Sequence, residues 1–176
     1  MKGNKYIIAL IWGVVVCSCS YPTPSPKAEL PQAYNLAYEE IYGHYYDSTA
    51  AVVALDLYSE GLELDENHRI KGTGYNLYLS DIFVPDSLLV PGVYASDTTA
   101  QPFTFLPGRS YEGIPHGIYI LTIEQDQVKS IQVVDSGSFV YRNDSLLFTL
   151  YYSNSNGTKT TYEAYYFGDL QLWPKQ

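Results

Sequence analysis

Few side chains in this sequence could carry covalent, metal or acid–base chemistry: two cysteines, three histidines and 19 carboxylates. A hydrolytic site needs a nucleophile beside a base, or two carboxylates facing each other in a cleft. No stretch has that signature. His44, His68 and His116 stand in separate segments, outside zinc-ligand spacing. Asp65-Glu66-Asn67 offers oxygen ligands, but the glycine and spacing of a calcium loop are missing. No glycine-rich phosphate loop occurs. These residues predict no catalytic group, no bound metal, no cofactor and no enzymatic activity.

The cysteines point to a different chemistry. A basic start at Lys2 and Lys5 and an apolar run over residues 6–16 precede Val16-Cys17-Ser18-Cys19. That arrangement is an export signal, and it is too short for a spanning helix of about 20 apolar residues. The last four residues have the form of a bacterial lipobox: an aliphatic residue, a small residue, then the cysteine to be acylated. Cys17 departs from its commonest pattern. No cysteine follows Cys19, whereas disulfide use needs pairs. Cys19 is therefore the expected lipidation site. Each buried methylene contributes about 0.8 kcal/mol, and two or more acyl chains give stable anchoring. Ser20 resembles the signal for outer-membrane sorting, so the chain is expected on the outer membrane, lipid-anchored, with its face open.

Residues 1–18 read as signal peptide and 19–32 as lipidated cysteine plus a tether carrying Pro22, Pro24, Pro26 and Pro31. In extended polyproline geometry, at about 3.1 Å per residue, the tether reaches about 40 Å. Residues 33–176 read as one domain. The formal net charge of -9 becomes more negative once Lys2 and Lys5 leave with the signal. That excludes nucleic acid as a partner, because phosphate binding needs clustered cations.

The elements that must position any site are strands. Ala51, Val53, Leu55 and Leu57 alternate with Asp56 and Tyr58; Tyr75, Leu77 and Leu79 alternate with Asn76, Tyr78 and Ser80. Leu146, Phe148, Leu150 and Tyr152 share a face opposite Tyr151. Residues 36–46 read as a strand, 61–74 as a polar connection, and 117–124 with 128–134 as a hairpin across Gln125-Asp126-Gln127. Nine or ten short strands predict an all-β fold: a single antiparallel β-sandwich, with a closed β-barrel as the alternative. Tyrosine, at 19 residues, is the outlier in composition. Tyr58, Tyr78 and Tyr151 fall opposite the aliphatic stripes, where exposed rings could stack on sugars.

The lipobox with its Cys-Ser-Cys, Tyr42-Gly43, Val90-Pro91-Gly92-Val93-Tyr94, and the ending from Gly137-Ser138-Phe139-Val140 through Asn156-Gly157 to Tyr166-Phe167-Gly168-Asp169-Leu170 resemble uncharacterised all-β lipoproteins of the Bacteroidota outer membrane. That group has no settled activity to carry over. Asp47-Ser48-Thr49, Asp86-Ser87-Leu88, Asp97-Thr98-Thr99 and Asp144-Ser145-Leu146 also resemble the O-glycosylation motif of that phylum. Ser48, Ser87, Thr98 and Ser145 are the candidate acceptors, since such additions belong on exposed loops. The expected function is non-enzymatic binding of a glycan or envelope partner. The alternative is a structural accessory subunit of an outer-membrane assembly.

Overall fold

The computed structural model describes residues 30–44 and 49–173. The signal peptide, Cys19, most of the tether and Ser48 lie outside the described residues. The strands are β1 (Gln32–Tyr34), β2 (Leu36–Gly43), β3 (Ala51–Tyr58), β4 (Leu62–Leu64), β5 (Ile70–Gly72), β6 (Gly74–Val84), β7 (Gly92–Ser96), β8 (Thr104–Phe105), β9 (Arg109–Tyr111), β10 (Ile114–His116), β11 (Ile118–Glu124), β12 (Gln127–Val133), β13 (Ser136–Arg142), β14 (Ser145–Ser153), β15 (Lys159–Phe167) and β16 (Gln171–Leu172). No helix occurs among the described residues.

The all-β expectation holds. Ten strands of one curled open sheet run in the order β1-β15-β14-β13-β7-β8-β6-β3-β2-β16, and β11 and β12 join the same sheet off that path. Neither a two-sheet sandwich nor a closed barrel is shown. The sheet is mixed rather than purely antiparallel, because β1 on β15, β7 on β8 and β16 on β2 are parallel pairs. β6 is the branch point. Its first half, from Gly74 to Leu79, pairs with β11, while Ile82 and Phe83 pair with β8. The long strand thus feeds two arms, one through β8 toward β15 and one through β11 to β12.

Local sequence explains the key joints. Gln125 and Asp126 both take left-handed φ, 51° and 66°, the requirement of the tight turn that matches strand twist. An Asp tolerates that geometry, and here its Oδ1 accepts the Gly72 N–H at 2.6 Å. Residues 61–74, expected as a polar connection, contain the small β4–β5 hairpin. The two arms of the sheet meet at Gly108, whose N–H donates to Val134 O at 2.7 Å. A side chain on Gly108 would collide with Ile118 O and sit 2.7 Å from Val134 O.

The core lies inside the curl. Leu55, Leu57, Leu77 and Leu79 of β3 and β6 face Phe139, Phe148 and Leu150 of β13 and β14 in one apolar cluster. Phe139 is its centre, stacked on Tyr94 at 4.7 Å and 5.6 Å from Phe105. Truncating such a ring to alanine costs about 3–5 kcal/mol. Glu39 is the exception in this interior. It is 5% exposed, its Oε1 accepts the Leu89 N–H at 2.6 Å, and burial pushes its carboxyl up.

Candidate functional site

The inner face changes chemistry toward one end of the curl. Along β6 the inward residues run Leu79, Leu77, Tyr75, and along β14 they run Leu150, Tyr152. On β11, Ile120 is followed by Thr122, which pairs with Tyr75. On β15, buried Ala164 gives way to Tyr162 and then Thr160. Aliphatic side chains close the interior where they pack, and hydroxyl-bearing ones leave it open to water where they replace them. The result is a cleft of about 850 Å³ between the β11–β12 arm and the β14–β15 hairpin.

The cleft wall is aromatic and neutral-polar. Tyr75, Tyr152 and Tyr162 supply rings, while Gln32, Gln132, Asn154, Thr122, Ser130 and Thr160 supply amides and hydroxyls. The Tyr162 ring is fixed by a 2.6 Å hydrogen bond between its hydroxyl and that of Tyr34, and burial pushes both phenols up. Asn154 is oriented by its Nδ2 donating to Thr160 Oγ1 at 3.0 Å. The Gln132 Nε2 donates to Val133 O at 3.0 Å and reaches Ser153 O across the cleft at 3.4 Å. Glu163 is the one ionisable carboxylate of the lining, which includes no Lys, Arg or His. Such a wall offers flat apolar area flanked by donors and acceptors. That suits a neutral ligand with alternating apolar and hydroxyl faces.

The three tyrosines expected from sequence lie on the outer face; the pairing of β3 with β6 makes Tyr58 and Tyr78 diagonal neighbours, while Tyr151 stands apart from both. Tyr58 points away from the aliphatic stripe as alternation requires, but it is only 1% exposed. Leu62 and Ile123 cover it, with Leu36, Leu64, Ile70 and Trp173 around them. The expected exposed platform is corrected there: the β4–β5 hairpin and the C-terminal Trp173 form a second, smaller core over β3. The Tyr58 hydroxyl donates to Asp56 Oδ2 at 2.5 Å, and Asn76 Nδ2 donates to Asp56 Oδ1 at 2.5 Å. Burial pushes the Asp56 carboxyl up to about 6, against those two hydrogen bonds and aided by Glu40. Tyr78 is half-buried, with its ring 5.2 Å from Tyr119 and its hydroxyl 3.2 Å from that of Tyr42. Tyr151 is 40% exposed on the outer face of β14. β14 stands four strand steps from β6, about 19 Å along the sheet at about 4.8 Å per step.

The candidate glycosylation acceptors divide. Ser87 and Thr98 are exposed in loops whose preceding aspartates, Asp86 and Asp97, cap backbone N–H groups at 2.8 Å. Ser145 is 4% exposed, because it opens β14 and its hydroxyl turns to Asp144 Oδ1 at 3.2 Å. The folded chain does not present that hydroxyl, and Ser48 falls outside the described residues. Of the histidines, His68 lies 5.8 Å from the Trp173 ring, while His44 and His116 are exposed. Among the described residues no three His, Cys, Asp or Glu side chains are grouped to hold a metal ion.

Sequence inspection missed Tyr75, Tyr152 and Tyr162 because they sit on the core-facing stripe. The available signal was the change from Leu to Tyr and Thr at the same end of several strands. Comparison with protein-family models, with curated proteins and with solved structures finds no match, so the functional reading stands on this geometry.

Proposed function

We propose that this protein is a lipid-anchored protein of the bacterial outer membrane whose β domain binds a neutral glycan in the cleft without chemical turnover. One observation carries the proposal: three tyrosines, together with amides and hydroxyls, line a cleft of about 850 Å³ whose single ionisable carboxylate is Glu163. A volume of that size lies within the range of about 300–1,000 Å³ typical of small-ligand sites. Tyr rings take the C–H face of a sugar, and the amides exchange hydrogen bonds with its hydroxyls. A glycosidase would place two carboxylates about the bond to be cleaved. The lipid anchor rests on Cys19 and the outer-membrane placement on Ser20. We also take the folding of β3 and β6 over β13 and β14 as sandwich-like, since one core cluster spans both halves.

An accessory-subunit role is favoured by a different feature. Among the described residues β12 pairs only with β11, and its Val128 and Ile131 are 52% and 47% exposed. A free edge of that kind templates pairing with another chain. A glycan array probed with the purified protein and with Tyr152→Ala separates the two. Wild type should retain neutral oligosaccharides that the variant does not. Absence of every glycan, with a stable protein partner lost on Ile131→Lys, would favour the accessory role instead.

A further inference from the structure

A second hollow, of about 400 Å³, lies at the other end of β6 and is lined by Tyr42, Val52, Ser80, Asp81, Leu106, Pro107, Arg109, His116 and Gly117. Tyr75 in the cleft and Ser80 here are five residues apart on one strand, about 17 Å at about 3.3 Å per residue. Its chemistry differs from that of the cleft. Arg109 and His116 are cross-strand partners in the β9–β10 hairpin, so both belong to one rim. Arg109 has no ion pair with a described residue, whereas Lys71 is paired with Asp126 at 3.5 Å. In a chain of net charge -9, a guanidinium with no ion-pair partner among the described residues puts one positive charge into the lining of this hollow, which also carries the Asp81 carboxylate.

The remaining lining supplies two further contacts of defined type. Val52, Leu106 and Pro107 give an apolar wall. Ser80 Oγ accepts the Gly117 N–H at 3.1 Å and donates to Asp81 Oδ2 at 2.5 Å, so the carboxylate is held in place. Tyr42, bonded through its hydroxyl to Glu40 at 2.8 Å, adds a fixed ring. A planar guanidinium matches a carboxylate with paired hydrogen bonds. A carboxylate such as Asp81 accepts from ligand hydroxyls and repels a ligand that is only an anion.

We propose that this hollow is a second binding site, for the ring of a sugar acid, with the ligand carboxylate on Arg109, its hydroxyls toward Asp81 and its apolar face on Val52, Leu106 and Pro107. The proposal is independent of the cleft and stands or falls without it.

Isothermal titration of the purified protein with D-glucuronate, D-glucose and cyclohexanecarboxylate tests it. Glucuronate should bind at least tenfold more tightly than either of the other two, one lacking the charge and the other the hydroxyls. Arg109 is exposed, so Arg109→Ala should keep the wild-type melting temperature while losing at least tenfold in glucuronate affinity. Arg109→Lys should recover only part of it. Tyr152→Ala, in the cleft, should bind glucuronate as wild type does. Glucose binding as well as glucuronate, Arg109→Ala binding unchanged, or glucuronate failing to bind at millimolar concentration would each overturn the assignment.

Discussion

Asp56 makes the stability of this fold depend on pH in an unusual direction. Its carboxyl is raised from 3.8 to about 6, chiefly by burial beneath the second core, and the Tyr58 and Asn76 hydrogen bonds only partly offset that. Because the folded-state value lies above the unfolded one, the folded chain binds more protons through that window. Stability therefore falls as pH rises from about 4 to about 6. Holding the carboxylate ionised at neutral pH costs at most on the order of 3 kcal/mol, at 1.36 kcal/mol per pH unit. Glu39 acts in the same sense, since burial raises its carboxyl as well. At lower pH the sign reverses. Asp65, Asp97 and Asp126 are held below the usual range by hydrogen bonds, from the Arg69 backbone, from Thr99 and from the Gly72 backbone respectively. Their contribution is lost as pH falls through those lowered values. Melting curves from pH 3 to pH 8 should peak in the weakly acidic range. The informative quantity is the difference from Asp56→Asn, because self-repulsion of the net negative charge is nearly common to both chains. Wild type should gain about 2 kcal/mol on the variant between pH 7 and pH 4, about 4–8 °C for a domain of this size. Parallel curves for the two proteins would refute the burial of an ionisable Asp56.

Other outcomes follow from the same structure. Tyr58→Ala should destabilise by about 3–5 kcal/mol, as for a buried ring, and chemical denaturation would show it; a loss below about 0.5 kcal/mol would mean that the second core does not cover it. Leu55→Asp and Phe148→Asp, at 0% and 3% exposed, should each prevent folding, since an unpaired buried charge costs several kcal/mol of a total near 5–15; circular dichroism checks this. Cys19→Ala should release the protein from the membrane fraction, and intact mass should show loss of the acyl chains; an unacylated wild-type chain would contradict the anchor.

The parts of this fold written in alternation were legible, and the parts written in long-range register were not. Ala51 through Leu57 announces a strand with a buried stripe, and β3 is that strand. What covers its other side was hidden, because Leu62, Leu64 and Ile70 sit in strands of three residues, too short to show a period. Trp173 reaches the same patch only through the parallel pairing of β16 with β2. The tyrosines at 58, 78 and 151 were therefore placed on the correct face, but the degree of burial of Tyr58 could not be read from its own strand. The cleft was hidden for a related reason. Tyr75 and Tyr152 are separated by about half of the domain in sequence, and each looks like the end of a core stripe until β6 branches and the β14–β15 hairpin closes over it.

Tyr151 and Tyr152 offer the most direct test of the cleft as the glycan site. They are adjacent on β14 and point to opposite faces: Tyr152 lines the cleft, and Tyr151 is exposed outside. Neither ring belongs to the buried core. Affinity for a neutral oligosaccharide identified on the array, measured by isothermal titration, should fall at least tenfold in Tyr152→Ala, equivalent to about 1.4 kcal/mol, and stay within twofold of wild type in Tyr151→Ala. Loss of binding in Tyr151→Ala with Tyr152→Ala unaffected would contradict the account and move the site to the outer face.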